Sequence, residues 1–82
     1  MKYFTYVLKS CKNNHLYVGS TGDLIKRILF HNSGKAKSTK GYRPWKFIKS
    51  YQFNSRKEAV RYERFLKTGQ QKEKLKEKYR DI

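Results

Sequence analysis

The sequence predicts an α+β fold, with a three-stranded antiparallel sheet flanked by helices in the order β-β-α-β-α-α. Two short segments rich in aromatic and β-branched residues, 2–8 and 16–20, lie on either side of a turn-prone stretch and indicate a hairpin. A third such segment, 45–53, follows one helical pattern and precedes two more. At 82 residues, the chain predicts a single small domain, 1–82, with a modest core.

The hairpin is predicted from "KYFTYVL" and "LYVGS". Between these strands, Asn13 and Asn14 can accept the positive φ of a tight turn. If these two residues form the whole turn, Tyr6 and Tyr17 project from the same face, because side chains alternate along a strand. Strand tyrosines are commonly core aromatics with solvated hydroxyls. As a pair facing the same way, they could instead orient or deprotonate an attacking water.

The first helix is predicted to start near residues 21–23, to run to about Asn32 and to end at Gly34. Its apolar stripe consists of Leu24, Ile25, Ile28 and Leu29. A neighbouring polar stripe consists of Asp23, Arg27 and His31. Arg27 could bind a phosphate bidentately or pair with Asp23. His31 could assist proton transfer, hold a phosphate, or be an ordinary surface or packing residue.

The remaining elements follow in order along the chain. Residues 35–44 predict a basic, turn-prone loop, and "WKFIKSYQF" predicts the third strand. The second helix opens with a capping box from Ser55 to Glu58 and is predicted to stop at Gly69. A last, highly charged helix is predicted over roughly residues 71–80.

The second helix carries a carboxylate where a core residue belongs. Its core-facing stripe is Ala59, Tyr62, Glu63 and Leu66. In one interpretation the helix is rotated and Glu63 is a surface residue paired with Lys67 at i+4, although that rotation also exposes Tyr62 and Leu66. In the other, the carboxylate lies on the stripe and needs a cation. In a basic domain that binds a polyanion, one carboxylate suits a Mg²⁺ ion that also takes water and phosphate oxygens.

Charge is the strongest compositional signal. The chain has 21 Lys and Arg against six Asp and Glu, a net charge of +15, and residues 1–57 carry a single acid. A field of one sign on so small a domain predicts a polyanionic partner. Nucleic acid is favoured, with DNA ahead of RNA. An anionic membrane surface ranks below it, because no helix combines a strong apolar face with a basic one. The plainest alternative is a basic protein whose charge serves solubility alone.

The same composition bears on location. No apolar run approaches the length of a membrane span, and no signal-peptide pattern opens the chain. The lone Cys11 cannot form an internal disulfide. We therefore expect a cytoplasmic protein.

Taken together, these segments resemble the GIY-YIG nuclease domain, which occurs in homing endonucleases and in a nuclease of excision repair. "FTY" (4–6) stands for the first strand motif and "YVG" (17–19) for the second; "DLIKRILFHN" and "EAVRYERFLK" supply the two motif-bearing helices. The likeness covers essentially the whole chain and is closest to small stand-alone bacterial proteins with the pattern "YVGST…R…HN.G…RPW…E…LK". One departure is that Phe4 and Thr5 replace the Gly and Ile of the first motif. We expect the strand to survive and the bulk of Phe4 to narrow access to the site.

The resemblance implies Mg²⁺- or Mn²⁺-dependent hydrolysis of phosphodiester bonds, with one ion held by Glu63, and it connects the protein with DNA repair. It makes Tyr17 the activator of the attacking water and Tyr6 its neighbour and partner in proton transfer. It also makes Arg27 the group that stabilises charge developing on the phosphate.

Two further residues enter through the resemblance. His31 is accessory, and Gly19 allows the backbone to approach closely beside the site. The substrate is expected to lie on the cations of the loop and the start of the third strand, which are Lys35, Lys37, Lys40, Arg43 and Lys46.

Two hypotheses about function therefore stand. The first is an endonuclease of low sequence specificity. The second is a non-catalytic nucleic-acid-binding module that relies on a protein partner for targeting. The presence of the tyrosines, Arg27, His31 and Glu63 together favours the enzyme, because a simple binder needs only Lys and Arg. No helix-turn-helix or zinc finger is apparent, which favours low sequence specificity under either hypothesis. The sequence leaves the oligomeric state open.

Overall fold

The structure, a computed structural model, describes all 82 residues and confirms the predicted α+β fold. Its three strands are β1 (Tyr3–Ser10), β2 (Leu16–Thr21) and β3 (Trp45–Phe53). They form one antiparallel sheet in the order β2-β1-β3. The helices are α1 (Leu24–Ser33), α2 (Arg56–Leu66) and α3 (Gly69–Lys78). A short 3₁₀ turn, Lys40–Tyr42, lies in the basic loop. None of the helices combines the length with the apolar character that a membrane span requires.

The turn between β1 and β2 differs from the prediction. Tyr6 lies opposite Gly19, and the Ser10 amide donates to the His15 carbonyl over 2.8 Å, so residues 11–14 form a four-residue loop. Within it only Asn14 has a positive φ, 64°. The predicted two-residue turn was therefore wrong. A register shifted by two residues keeps every side chain on the same face, so the shared face of Tyr6 and Tyr17 survives the error.

The sheet separates two clusters of buried side chains. On one face, which α2 and α3 cover, the cluster contains Val7, Val18, Leu66, Leu75 and Tyr79. On the other face, which α1 covers, Tyr6, Leu8 and Trp45 are buried, with Tyr17, Leu24 and Ile28 packed against them. We call these the α2–α3 face and the α1 face. Strand β1, the central strand, contributes to both because its side chains alternate.

Helix α1 buries a different stripe from the predicted one. Leu24 and Ile28 pack against the sheet and His31 is buried, whereas Ile25 and Leu29 are 74% and 64% exposed. The helix is thus rotated toward the expected polar stripe. The rotation is possible because both ring nitrogens of His31 have hydrogen-bond partners, so its burial leaves no polar atom unsatisfied.

The ends of the helices were predicted with mixed success. Gly34 caps α1 in the left-handed conformation, with φ 85°, as expected. Ser55 caps α2, and its hydroxyl accepts from the Glu58 amide over 3.2 Å. Gly69 does not end α2 but begins α3. The break occurs earlier, at Thr68, whose extended backbone (φ −66°, ψ 151°) leaves the helical path.

A buried lysine, Lys9, fastens the end of the chain to the central strand. Lys9 is 4% exposed, and its Nζ donates to the carbonyls of Tyr79, Arg80 and Ile82 over 2.6, 3.0 and 3.1 Å. Three carbonyl acceptors satisfy the three protons of this buried ammonium group. The stretch that follows α3 is therefore bonded to the central strand, although only Tyr79 of its four residues is buried.

Candidate active site

Two tyrosines meet on the α1 face at the β1–β2 pair. The ring centroids of Tyr6 and Tyr17 are 6.3 Å apart, and the Tyr17 ring lies 4.7 Å from that of His31. Tyr6 is 1% exposed, whereas Tyr17 is half-buried. Tyr17 is on strand β2, at the open edge of the sheet. Of the two hydroxyl-bearing rings, Tyr17 therefore has the better access to a substrate.

Behind the tyrosines runs a chain of buried polar side chains. The Tyr6 hydroxyl lies 2.9 Å from Nε2 of His31, and Nδ1 of His31 lies 2.9 Å from Oγ1 of Thr39. Tyr6, His31 and Thr39 are each no more than 2% exposed. Both nitrogens of His31 are thus engaged, so the imidazole cannot hold a phosphate directly, which corrects one of the roles considered for it.

The electrostatics of this chain keep both ring systems neutral. Burial raises the pKa of the Tyr6 hydroxyl far above its usual value, with smaller raising effects from Tyr17 and Glu63 and a lowering effect from Arg27. Burial, with Arg27 adding to it, lowers the pKa of His31. Tyr6 therefore remains protonated at neutral pH, where it can donate a hydrogen bond but cannot act as the general base that takes a proton from water. The charges of Arg27 and Glu63 both act at this hydroxyl, with opposite effects on its pKa.

Gly19 is required by the close packing of the tyrosines. A Cβ atom at position 19 would lie 2.5 Å from the Tyr6 hydroxyl oxygen and 3.1 Å from Cε2 of Tyr17. The Tyr6 ring has no room to retreat, because it is fully buried. The close approach expected at this position is present, and it is made by the tyrosine rings.

Arg27 is exposed on α1 and lines two clefts. One, of about 620 Å³, runs along α1 beside Lys26 and Lys35, and a smaller one, of about 210 Å³, lies between α1 and the start of α2. The guanidinium carbon is 5.6 Å from the Phe30 ring centroid. Asp23 accepts from the Lys26 amide over 3.1 Å and caps the helix. It forms no ion pair with Arg27, since all three ion pairs of the molecule involve other residues.

Glu63 combines features of both interpretations. Ala59 and Leu66, on its stripe, are buried, and the side chain of Glu63 itself is only 20% exposed. It nevertheless pairs with Lys67, whose Nζ lies 2.6 Å from Oε2. Helix α2 packs against β1 and β2 on the face opposite Tyr17, but the Glu63 charge still acts at the Tyr6 hydroxyl and helps to raise its pKa. Glu63 therefore belongs to the core-facing stripe and forms the i, i+4 pair as well.

The donor set around Glu63 limits the kind of metal it could bind. No group of three or more His, Cys, Asp or Glu side chains is positioned to ligate an ion anywhere in the molecule. A transition-metal cage is therefore absent. A single carboxylate fits the way Mg²⁺ is commonly bound, through one or two carboxylates with water and phosphate oxygens completing the octahedron.

The predicted substrate-binding cations are all exposed, but they occupy more than one surface. Lys37, Lys40 and Arg43 line an open cleft of about 660 Å³ together with Lys12. Lys35 lies in the other cleft, with Arg27. Lys46 lies on β3 and lines neither of these clefts. We call the first group, with Lys12, the basic cleft.

Sequence reasoning missed Lys12, Lys26 and Thr39. Lys12 joins the basic cleft because the hairpin loop lies against the basic loop, where the Cys11 amide donates to the Pro44 carbonyl over 2.9 Å. The pairing of β1 with β3 could have suggested that proximity. Lys26 is visible in the sequence as a cation next to Arg27, whereas nothing local marks Thr39.

The chain is similar to a known domain family and to several known proteins. The model of the GIY-YIG catalytic domain matches residues 2–79. A UPF0213 protein of Staphylococcus haemolyticus is 43% identical over 76 residues, which cover 92% of each chain. The UPF0213 protein YazA of Bacillus subtilis is 44% identical over 73 residues, covering 88% of this chain and 73% of YazA.

The fold is matched as well. The solution NMR structure of a UPF0213 protein from Bacillus halodurans aligns with a TM-score of 0.56 and 36% identity, covering 96% of this chain and 86% of that one. The resemblance drawn from the strand and helix motifs is thereby confirmed. With a domain match over nearly its whole length and small relatives above 40% identity, the chain belongs to the GIY-YIG family of nuclease domains, among its UPF0213 members.

Proposed function

We propose that this protein is a divalent-metal-dependent endonuclease that hydrolyses phosphodiester bonds in DNA with low sequence specificity. The observation that carries the proposal is the half-buried Tyr17, packed on a neutral His31 at the open edge of the sheet in a GIY-YIG domain. The Tyr17 ring is accessible to a substrate on one side and packs against Tyr6 and His31 on the other. Arg27 is exposed on helix α1, which covers the same face.

Each residue has a role that its surroundings support. Tyr17 orients the attacking water through its hydroxyl, and as the phenolate it accepts the proton of that water, as a positioned general base does. Arg27, whose fork of donors matches phosphate geometry, stabilises the charge that develops on the phosphate. The buried Tyr6 and His31 hold the Tyr17 ring in place.

The metal would be held by Glu63, with water and substrate oxygens as its other ligands. A bound Mg²⁺ supplies charge stabilisation at the phosphate and at the leaving oxygen. For this to happen the Lys67 ammonium has to leave the Glu63 carboxylate. Lys67 is half exposed and its side chain is flexible, so the displacement is cheap.

The cationic surfaces account for the expected lack of sequence specificity. The basic cleft and the cleft beside Arg27 together present seven cations, counting Lys26 and Lys35 with the four of the basic cleft and Arg27. Lys and Arg contacts to phosphates fix the position of a nucleic acid but do not read its bases. Such contacts release counterions, so the Kd should rise steeply between low and physiological salt.

The test is a cleavage panel of labelled linear and structured DNA and RNA, with Mg²⁺, Mn²⁺ or chelator. Tyr17→Phe should lower the rate about 10²- to 10⁴-fold while binding stays near that of the wild type, because only the hydroxyl is removed. Tyr51→Phe, on the other face of the sheet, is the matched control. Glu63→Gln should abolish cleavage, and added Mg²⁺ should restore little of it. Glu73→Gln, an exposed glutamate paired with Lys76, should cleave normally.

The second candidate function is a non-catalytic nucleic-acid-binding module that depends on a partner. The ion pair between Lys67 and Glu63 favours it, since an ammonium group already neutralises the carboxylate that would hold the metal. In that case the panel shows salt-dependent binding and no cleavage with either metal. Cleavage by a Glu63→Gln protein would show that Glu63 does not hold the metal.

A further inference from the structure

Thr39 is a buried polar residue that the proposed reaction does not yet use. It is 1% exposed although it lies in the basic loop between Lys37 and Lys40, both of which are exposed. Its hydroxyl oxygen lies 2.9 Å from Nδ1 of His31 and 3.4 Å from the Ala36 carbonyl. Its own carbonyl accepts from Nε1 of Trp45 over 2.9 Å. One loop residue is thus bonded into the wall of the candidate active site.

These contacts are all satisfied when the proton of His31 lies on Nδ1. A hydroxyl has one proton to donate, and the Ala36 carbonyl can only accept. With the Thr39 proton directed to Ala36, Thr39 Oγ1 accepts from His31, and Nδ1 carries the hydrogen. The opposite nitrogen, Nε2, then has a free lone pair, and the Tyr6 hydroxyl donates to it over 2.9 Å. The donors and acceptors form one consistent series from Tyr6 to Ala36.

We propose that Thr39 is a positioning residue that fixes His31 as the Nδ1–H tautomer, aims the Tyr6 hydroxyl at Nε2 and so couples the basic loop to the catalytic tyrosines. The tautomer and the hydrogen-bond direction stand on the geometry alone. The effect on cleavage rests on the function proposed above.

The loop is held at points that make this coupling effective. The Asn32 side chain brackets Trp45, accepting from its amide over 2.6 Å and donating to its carbonyl over 3.1 Å. The Ser10 hydroxyl donates to the Tyr42 carbonyl over 2.6 Å. Thr39 precedes these anchors in the loop, and its hydroxyl makes the loop's side-chain contact with His31. The cations of the loop are therefore connected to His31 through Thr39.

The first arm of the test uses the wild-type protein without substrate. The ¹⁵N chemical shifts of its two histidines report their tautomers, and the exposed His15 is the internal reference. We expect a pyrrole-type Nδ1 and a pyridine-type Nε2 for His31. An Nε2–H tautomer for His31 would overturn the proposal, whatever the protein does to nucleic acid and however any variant folds.

The second arm compares Thr39→Val, which keeps the shape and removes the hydroxyl, with Thr39→Ser, which keeps the hydroxyl. Thr68→Val, an exposed threonine whose hydroxyl bonds the Phe65 carbonyl, is the control. In Thr39→Val we expect mixed His31 tautomers and a kcat lower by about 10- to 100-fold, with KM within about twofold, because misplacement of a catalytic group costs that order of rate. Thr39→Ser should restore both.

A Thr39→Val protein with the wild-type tautomer and kcat would overturn the proposal. If the wild type shows the expected tautomer but no cleavage under any condition, the nuclease function fails while the positioning of His31 by Thr39 stands. The two failures are therefore distinguishable.

Discussion

The two faces of the sheet share strand β1 but bury different kinds of side chain. On the α2–α3 face, Val7 contacts an apolar cluster that includes Leu66 and Leu75. On the α1 face, the adjacent Tyr6 joins a buried hydrogen-bonded chain with His31 and Thr39. Burial of apolar surface stabilises without specifying direction, whereas a buried polar chain fixes orientation. The comparison indicates that the α2–α3 face supplies stability and the α1 face supplies the geometry of the site.

The largest expected effect is on the α2–α3 face. Leu66→Ala should lower the free energy of unfolding by about 2–5 kcal/mol, because Leu66 is buried and the cavity it leaves cannot fully close. Leu29→Ala, on the exposed side of α1, should change it by less than about 0.5 kcal/mol. Denaturant titration of both variants measures the difference. Equal losses would mean that Leu66 contributes no more than an exposed leucine, which would contradict the role assigned to the α2–α3 face.

The second effect concerns the packing of the tyrosines. Gly19→Ala should cost about 1–3 kcal/mol of stability, because the new methyl group overlaps the buried Tyr6 ring. It should also lower any cleavage activity by displacing that ring. Gly41→Ala is the control, since nothing lies within 4 Å of a Cβ atom there. A Gly19→Ala protein as stable as the control would show that the tyrosine packing is loose.

The third effect is a dependence of stability on pH. The folded protein holds the pKa of His31 below its usual 6.5, so the unfolded chain binds the proton first as pH falls. Stability is then constant above about pH 6.5 and decreases below it. Thermal melts between about pH 7.5 and 5 should show this decrease in the wild type and in His15→Gln, because His15 is exposed. In His31→Gln the decrease should be absent, and its persistence there would assign it to another group.

The smallest expected effect is the stability lost when the ion pair between Glu63 and Lys67 on α2 is removed. Lys67→Gln should cost only about 0.3–0.5 kcal/mol, as for other exposed i, i+4 pairs. A thermal melt is sufficient to measure it. A loss of several kcal/mol would show that Glu63 depends on Lys67 for its charge balance, which would argue against exchange of that ammonium for a metal ion.

Much of the fold could be predicted because its signals are local. The third strand was placed at Trp45–Phe53 from its aromatic and β-branched residues, and Gly34 ended α1 because only a residue that tolerates positive φ fits there. The rotation of α1 could not be predicted in the same way. Periodicity identifies Leu24 and Ile28 but does not say on which side of them the sheet lies.

The site shows the same limit. Strand alternation and an assumed two-residue turn placed Tyr6 and Tyr17 on one face, and the observed register, which differs by two residues, keeps them there. The burial of His31 depends on Thr39 and Tyr6, which are 8 and 25 residues away in the chain. No local sequence pattern around His31 indicates that Thr39 and Tyr6 are its partners. The two interpretations of Glu63 were not exclusive, because a side chain at the edge of a buried stripe is long enough to reach its i+4 neighbour.

The Lys9 ammonium has a consequence for the order in which the chain can fold. Its three acceptors lie 70, 71 and 73 residues further along, and β1 also pairs with the distant β3. Contacts between residues so far apart slow folding, because the intervening loop must be closed first. During synthesis, β1 is therefore made well before the residues that complete its contacts. A nascent chain that lacks residues 79–82 has a lysine in its central strand with no acceptor for it, and we expect it to remain open to proteases and chaperones until those residues arrive.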